Sequence, residues 1–221
     1  MNKDFSSLIK KTYSQQILTN IEDNLVSGSF KPDEPLKLRS LASQFGVSII
    51  PIREALMFLE SEGSIVKRNN KDYRIRSMSF EDFIDLTDIR LMLEPKTAST
   101  ACEIASAKEI FELGQIINGM EHSVDDERRF MLFHYKYHMS LYGIAKKQIY
   151  NELIRSCWLR IGPYISLMWK EMGYTDSLQN HVAIHKAVEA KDKDLVFSLL
   201  TEDLEKGRDS MKKEYFISEE L

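Results

Sequence analysis

The sequence predicts a mainly α-helical chain in two parts: a winged helix-turn-helix over residues 1–77, then an all-α region of six helices over residues 78–221. Three observations lead there. Residues 38–59 read as helix, tight turn, helix, and two short strand-like runs follow them. Beyond Met78 apolar residues recur at helical spacing, interrupted internally only by Pro95 and Pro163 and with no alternating strand pattern.

At 221 residues and 43% hydrophobic, the chain can bury one large core or two modest ones, and 29% charge with 10% aromatics fits a soluble globular protein. No apolar run reaches the roughly 20 residues that span a bilayer. The opening MNKDFSSLIKK has no apolar core or small-residue cleavage site, so a cytoplasmic location without membrane contact is expected. Cys102 and Cys157 lie far apart without CxxC spacing and are expected to be reduced and buried. The net charge of −4 divides unevenly. Residues 1–76 hold 12 Lys+Arg and 9 Asp+Glu, or +3, and the remainder holds 18 and 25, or −7. A basic head on an acidic body suits DNA binding, although a solvated charged face explains +3 equally well.

The first helix is expected over Tyr13 to Val26, with Ile17, Ile21, Leu25 and Val26 on its apolar face and Ser27-Gly28 ending it. Lys31 to Pro35 holds two prolines and is read as a loop into Leu38. A short helix from Leu38 to Phe45 shows Leu38, Leu41, Ala42 and Phe45 on one face, and Gly46 supplies the turn. Ser48 is a natural N-cap of the next helix. Pro51 falls in its first turn, where amides have no internal partner, and Ile52, Ala55, Leu56 and Leu59 carry the apolar face to Glu62-Gly63. Ile65-Val66 and Tyr73 to Arg76 read as two strands around a polar tip at Lys67 to Asp72, a candidate wing.

The run Leu41-Ala42, Gly46-Val47-Ser48, Pro51-Ile52-Arg53-Glu54-Ala55-Leu56, Leu59-Glu60 and Glu62-Gly63 resembles the DNA-binding domain of the GntR family of transcription regulators. The resemblance implies that the second helix enters the major groove of double-stranded operator DNA. There Arg39 and Arg53 match DNA-contacting arginines, and Ser48 is a cap and a phosphate donor. Lys71, near the wing tip, joins these candidates. The bland reading of either arginine is a solvated helix side chain or a partner of Glu54 or Glu60. Two departures stand out: Ile49-Ile50 follow Ser48 where the family carries arginine, and the wing-tip glycine is replaced near Lys71-Asp72. Isoleucine can touch a thymine methyl or pack on the wing or a partner chain, but it cannot donate.

The remaining helices are expected at Phe80–Ala105, Ser106–Glu121, Asp125–Ala145, Gln148–Met172, Ser177–Ala190 and Asp192–Tyr215. Leu86-Thr87-Asp88-Ile89-Arg90 followed by Glu94 resembles the opening of the FadR-type (FCD) ligand-binding domain, and the six-helix plan agrees. Two histidine pairs, His134 with His138 and His181 with His185, have the i, i+4 spacing of a metal clamp, a spacing that also arises by coincidence. The resemblance implies more. Family members place Asp-x-x-x-His on the third helix of this domain, then one His on the fifth and one on the sixth, around a divalent metal. Here His134 stands where Asp is usual and Asp203 where the last His is usual. The implied set is therefore permuted, with His134, His138, His181 and Asp203 around zinc, nickel or manganese. His185 is an alternative ligand or effector contact, and His122 has no role. Arg90 is either a fork for an effector carboxylate or the partner of Glu94, one turn on.

The resulting expectation is a homodimeric regulator that reads a palindromic operator under control of a small, carboxylate-like effector. A metal-dependent hydrolase is disfavoured. His134-Tyr135-Lys136-Tyr137-His138 has tyrosine where a zinc protease needs glutamate, and neither a nucleophile elbow nor a phosphate loop occurs. An architectural DNA binder whose helical part only dimerises is the remaining alternative.

Overall fold

The structure is a computed structural model describing residues 12–68, 72–172, 174–212 and 215–216, with residues 166–172 described by their backbone alone. Helix α1 (Tyr13–Val26) starts at Thr12, whose side chain and that of Gln15 cap each other's backbone amides. The segment read as a loop closes into a two-residue strand, β1 (Pro35–Leu36), rather than staying irregular. Asp33 takes a left-handed conformation (φ 62°), the amide of Ile75 donates to the carbonyl of Glu34, and the Asp33 carboxylate holds Arg74 at 2.9 Å. Pro35 is tolerated because β1 is an edge strand.

Helix α2 (Leu38–Phe45) ends at Gly46, whose φ of 64° lets the chain reverse at once into α3 (Ile49–Ser61). Ser48 holds the N-cap position by its backbone, but its hydroxyl makes no capping bond, contrary to the expected cap role. Strands β2 (Ile65–Arg68) and β3 (Asp72–Ile75) pair antiparallel with Ile65 opposite Ile75, giving the order β1-β3-β2 of a wing.

After an extended segment at 76–79, the chain is helical almost throughout. Helix α4 (Phe80–Ile104) and α5 (Ala107–Glu121) each begin with a capping box, Ser79 with Asp82 and Ser106 with Glu109. Asp126 caps α6 (Glu127–Ile144), and α7 (Gln148–Met172) follows. Helix α8 spans Tyr174–Glu189, three residues earlier than expected, and α9 (Lys193–Ser210) is capped by Asp192. Helix α9 stops at Ser210, before the expected Tyr215, and Phe216 beyond it packs against Phe80, Phe83 and Tyr164. No helix among the described residues is long and apolar enough to cross a membrane. Cys102 and Cys157 are unpaired and buried.

Two apolar cores result. One joins α1–α3 and the strands, and the other joins α4–α9. They meet along α7, whose Leu159 belongs to the core of the head. Arg155 of α7 forms an ion pair with Glu22 of α1, and Arg160 donates to the carbonyl of Glu62, just beyond α3, at 3.0 Å.

Candidate metal centre and nucleic-acid interface

The head presents a groove lined by Lys37, Leu38, Arg39, Ile49, Arg53, Met57, Lys67, Asp72 and Tyr73, between α2, α3 and the wing. Arg39 and Arg53 are both exposed and form no ion pair among the described residues. Glu54, one candidate partner of Arg53, instead accepts from Ser14 at 2.8 Å. Ser48 is exposed with its hydroxyl uncommitted to the helix. Ile49 lines the groove while Ile50, 66% exposed, points to solvent. Lys37 and Lys67 were not singled out from the sequence and add two cations to this surface. Lys71 lies outside the described residues.

In the helical part, His134 and His138 on α6, His181 on α8 and Asp203 on α9 each offer a ligand atom, and these atoms lie within 4.8 Å of one another. The three imidazoles are buried, and their Nε2 atoms converge. His138 Nε2 is 3.2 Å from that of His134 and 2.8 Å from that of His181. Asp203 brings Oδ2 to 4.0 Å from His138 Nε2, and its Oδ1 accepts from Asn180 at 2.8 Å.

Hydrogen bonds around the cluster set the tautomers. His181 Nδ1 lies 2.8 Å from the carbonyl of Ser177, which can only accept, so Nδ1 carries the proton. Tyr142 gives its hydroxyl proton to Glu94 Oε2 at 2.6 Å, so His138 Nδ1, 2.9 Å from that hydroxyl, must donate to it. Both rings therefore aim bare Nε2 lone pairs at each other across 2.8 Å. Burial, and then the neighbouring histidines, holds His138 well below the usual imidazole range. A cation shared by these lone pairs would relieve the repulsion. Three imidazoles and a carboxylate, oriented by outer hydrogen bonds, are a donor set that fits zinc and its neighbours.

Glu94 organises the next layer. Its carboxylate accepts from Arg90 Nε (2.5 Å), Trp158 Nε1 (3.0 Å), Tyr142 and Arg90 Nη2 (3.3 Å). The guanidinium of Arg90 also lies 4.4 Å from the centre of the Trp158 ring. Arg90 thus takes the second of its two expected roles, as partner of Glu94. This hub was missed from the sequence, although His134, His138 and Tyr142 recur at four-residue spacing on α6 and signal a shared face.

His185 is not brought into the cluster. Its Nε2 lies 3.6 Å from Glu189 and faces Gly114 of α5, and its ring packs edge-on against Tyr137 of α6. His122 bonds the carbonyl of Asn118 at the surface.

The model of the FCD domain matches residues 85–206, and that of bacterial regulatory proteins of the gntR family matches residues 13–75. The chain is similar to the HTH-type transcriptional regulator McbR of Escherichia coli (strain K12), 23% identical over 184 residues that cover 81% of this chain and 83% of that protein. It is also similar to the gluconate operon transcriptional repressor of Bacillus subtilis (strain 168), 24% identical over 213 residues covering 93% and 87%. Among solved structures, E. coli McbR/YncC shares the fold with a TM-score of 0.81, at 22% identity over 88% of this chain and 94% of that one.

Proposed function

This chain belongs to the GntR family of bacterial transcription regulators and carries an FCD domain, and on that premise we propose that it binds operator DNA under the control of a metal centre in its helical part. The family and the relatives found are regulators, not enzymes. We place the boundary between the two parts at residues 77 and 78, within the extended segment that links β3 to α4.

In this reading two copies pair and present their α3 helices to the half-sites of a palindromic operator, inside the cytoplasm where that DNA lies. Arg53 reads a base edge, while Arg39, Ser48, Lys67 and Lys71 hold phosphates. His134, His138, His181 and Asp203 hold a divalent ion, zinc, nickel or manganese. The bound ion supplies charge at the centre of the domain and positions for water or, as the resemblance implies, a small carboxylate effector. The side chains around it orient the ligands and exclude solvent.

One observation carries the coupling of centre to head: α7 belongs to both. Trp158 packs on His134 and His138 and bonds Glu94, while its neighbour Leu159 lies in the core of the head and Arg160 grips the end of α3. A change in ring packing at the centre therefore moves the frame on which α3 is mounted.

The test is binding of the full-length chain, stripped of metal or loaded with zinc, to a duplex selected from a random pool by both forms. Wild type is expected to bind the selected duplex with two chains per site and with an affinity that depends on zinc. His138→Ala and Asp203→Ala are expected to bind it without that dependence and without retaining zinc on elemental analysis. Failure to select any specific duplex would refute the reading.

A further inference from the structure

We infer that Ile49 reads the C5-methyl group of a thymine, one or two base pairs from the base that Arg53 reads in each half-site. The inference rests on the DNA-binding reading proposed above. Residues four apart on a helix share a face, and Ile49, Arg53 and Met57 all line the groove between α2, α3 and the wing. Ile52, Ala55, Leu56 and Leu59 of the same helix turn to the core instead. The stripe facing the groove is therefore an arginine between two apolar side chains. It is open, with Ile49 37% and Met57 55% exposed. Ile50 is more exposed still but does not line the groove.

The occupant of the groove follows from its charge. Lys37, Arg39, Arg53 and Lys67 line it against one carboxylate, Asp72. Such an excess of cations is complementary to a groove bordered by phosphates. Within the major groove of that DNA, thymine alone presents a methyl group, while every base also presents hydrogen-bonding atoms. Against Ile49 those atoms lose water and gain no partner, which disfavours the other bases. The thymine methyl gains by leaving water.

Its place on the helix makes Ile49 the reader. It is the first residue of α3, and the N-terminal residues of a recognition helix are those that reach base edges. One helical turn rises about 5.4 Å and successive bases on a strand stand about 3.4 Å apart, so Ile49 meets a base one or two steps from that of Arg53. Met57 lies two turns farther along and serves as the control.

The experiment titrates the full-length chain with the selected duplex and with versions in which each thymine in turn is replaced by uracil, which lacks only the C5-methyl. At a thymine one or two steps from the base pair where Arg53→Ala relaxes preference, the replacement should weaken binding about fourfold, the change that corresponds to burying one methyl group. With both half-sites replaced the loss should be about fifteenfold. Ile49→Ala should bind the thymine and uracil duplexes alike, whereas Met57→Ala should keep the distinction. Ile49→Arg should prefer guanine at that position by about tenfold. Wild-type binding that no uracil weakens would overturn the inference and leave the DNA-binding reading standing, because the duplex is still bound specifically. A uracil effect of equal size in Ile49→Ala would trace it to duplex shape or another side chain, and would overturn the inference too. Failure to select any specific duplex would instead overturn the DNA-binding reading itself.

Discussion

Trp158 and Leu159 are consecutive residues of α7, both fully buried, and they lie in different cores. The first packs against the histidine cluster, and the second packs with Ile17, Leu25 and Leu59 beneath the DNA-reading head. A helix turns about 100° per residue, so neighbours on one helix can face opposite sides. The two parts are joined along this helix, with Leu132 and Tyr135 of α6 packing on the head beside it, and the predictions follow from what it touches.

Gly162 sits where α7 crosses α1. A Cβ there would stand 2.6 Å from the carbonyl oxygen of Leu25 and 3.0 Å from Cα of Val26, both backbone atoms. Gly162→Ala must push the helices apart, and it should destabilise the protein by about 1–3 kcal/mol, as overpacking does. Chemical denaturation measures the loss, and DNA titration should show a weakened dependence on zinc. A variant as stable and as responsive as wild type would mean that the crossing transmits nothing.

Glu94 is fully buried and is the counter-charge of a buried arginine. Glu94→Gln strands that charge and should cost about 3–5 kcal/mol in urea denaturation. Replacing both partners, with Arg90→Met alongside Glu94→Gln, should recover most of it, because no unpaired ion then remains. A double variant no better than the single would show that the cost comes from Tyr142 and Trp158 instead.

In the DNA groove the two exposed arginines should behave differently. Arg53→Ala should cost about 1–3 kcal/mol and relax preference at one base pair of each half-site. Arg39→Ala should weaken binding to all sequences alike and reduce the salt dependence by about one phosphate contact. Neither should lower thermal stability, since both side chains are exposed. Competition against single-base operator variants at two salt concentrations separates the roles.

For the metal-free protein, acid should be destabilising from the start of the histidine range. Burial and nearby cationic or imidazole groups hold His134 and His138 well below their usual value, so below about pH 6.5 the unfolded chain binds more protons than the folded one. Stability therefore rises with pH through this window and falls as pH drops below it. Denaturation midpoints taken between pH 7.5 and about pH 5 should show the decline, and His134→Gln with His138→Gln should flatten it. A flat wild-type profile would indicate that the rings are solvated.

Much of the architecture was legible because the signals are local. Gly46 before Ser48 and Pro51 marks a turn between two helices, whatever surrounds it. Ser79 with Asp82 and Ser106 with Glu109 announce helix starts by bonds that span three residues. Four-residue spacing put His134 and His138 on one face, and the family resemblance carried His181 and Asp203 to the same centre. Strand β1 was not legible, because its two residues are strand only through pairing with β3, nearly forty residues on.

The sequence determined the order of the helices and the helix-turn-helix with its wing, and through the family resemblance it gave the set of side chains able to hold a cation. Tertiary structure alone decided which of them meet. It turned His181 into the cluster and His185 toward α5, gave Arg90 to Glu94, and set Leu159 in the core of the head. The physical reason is that periodicity fixes which face of a helix a residue occupies, whereas the neighbour that face meets is set by how all the helices pack together.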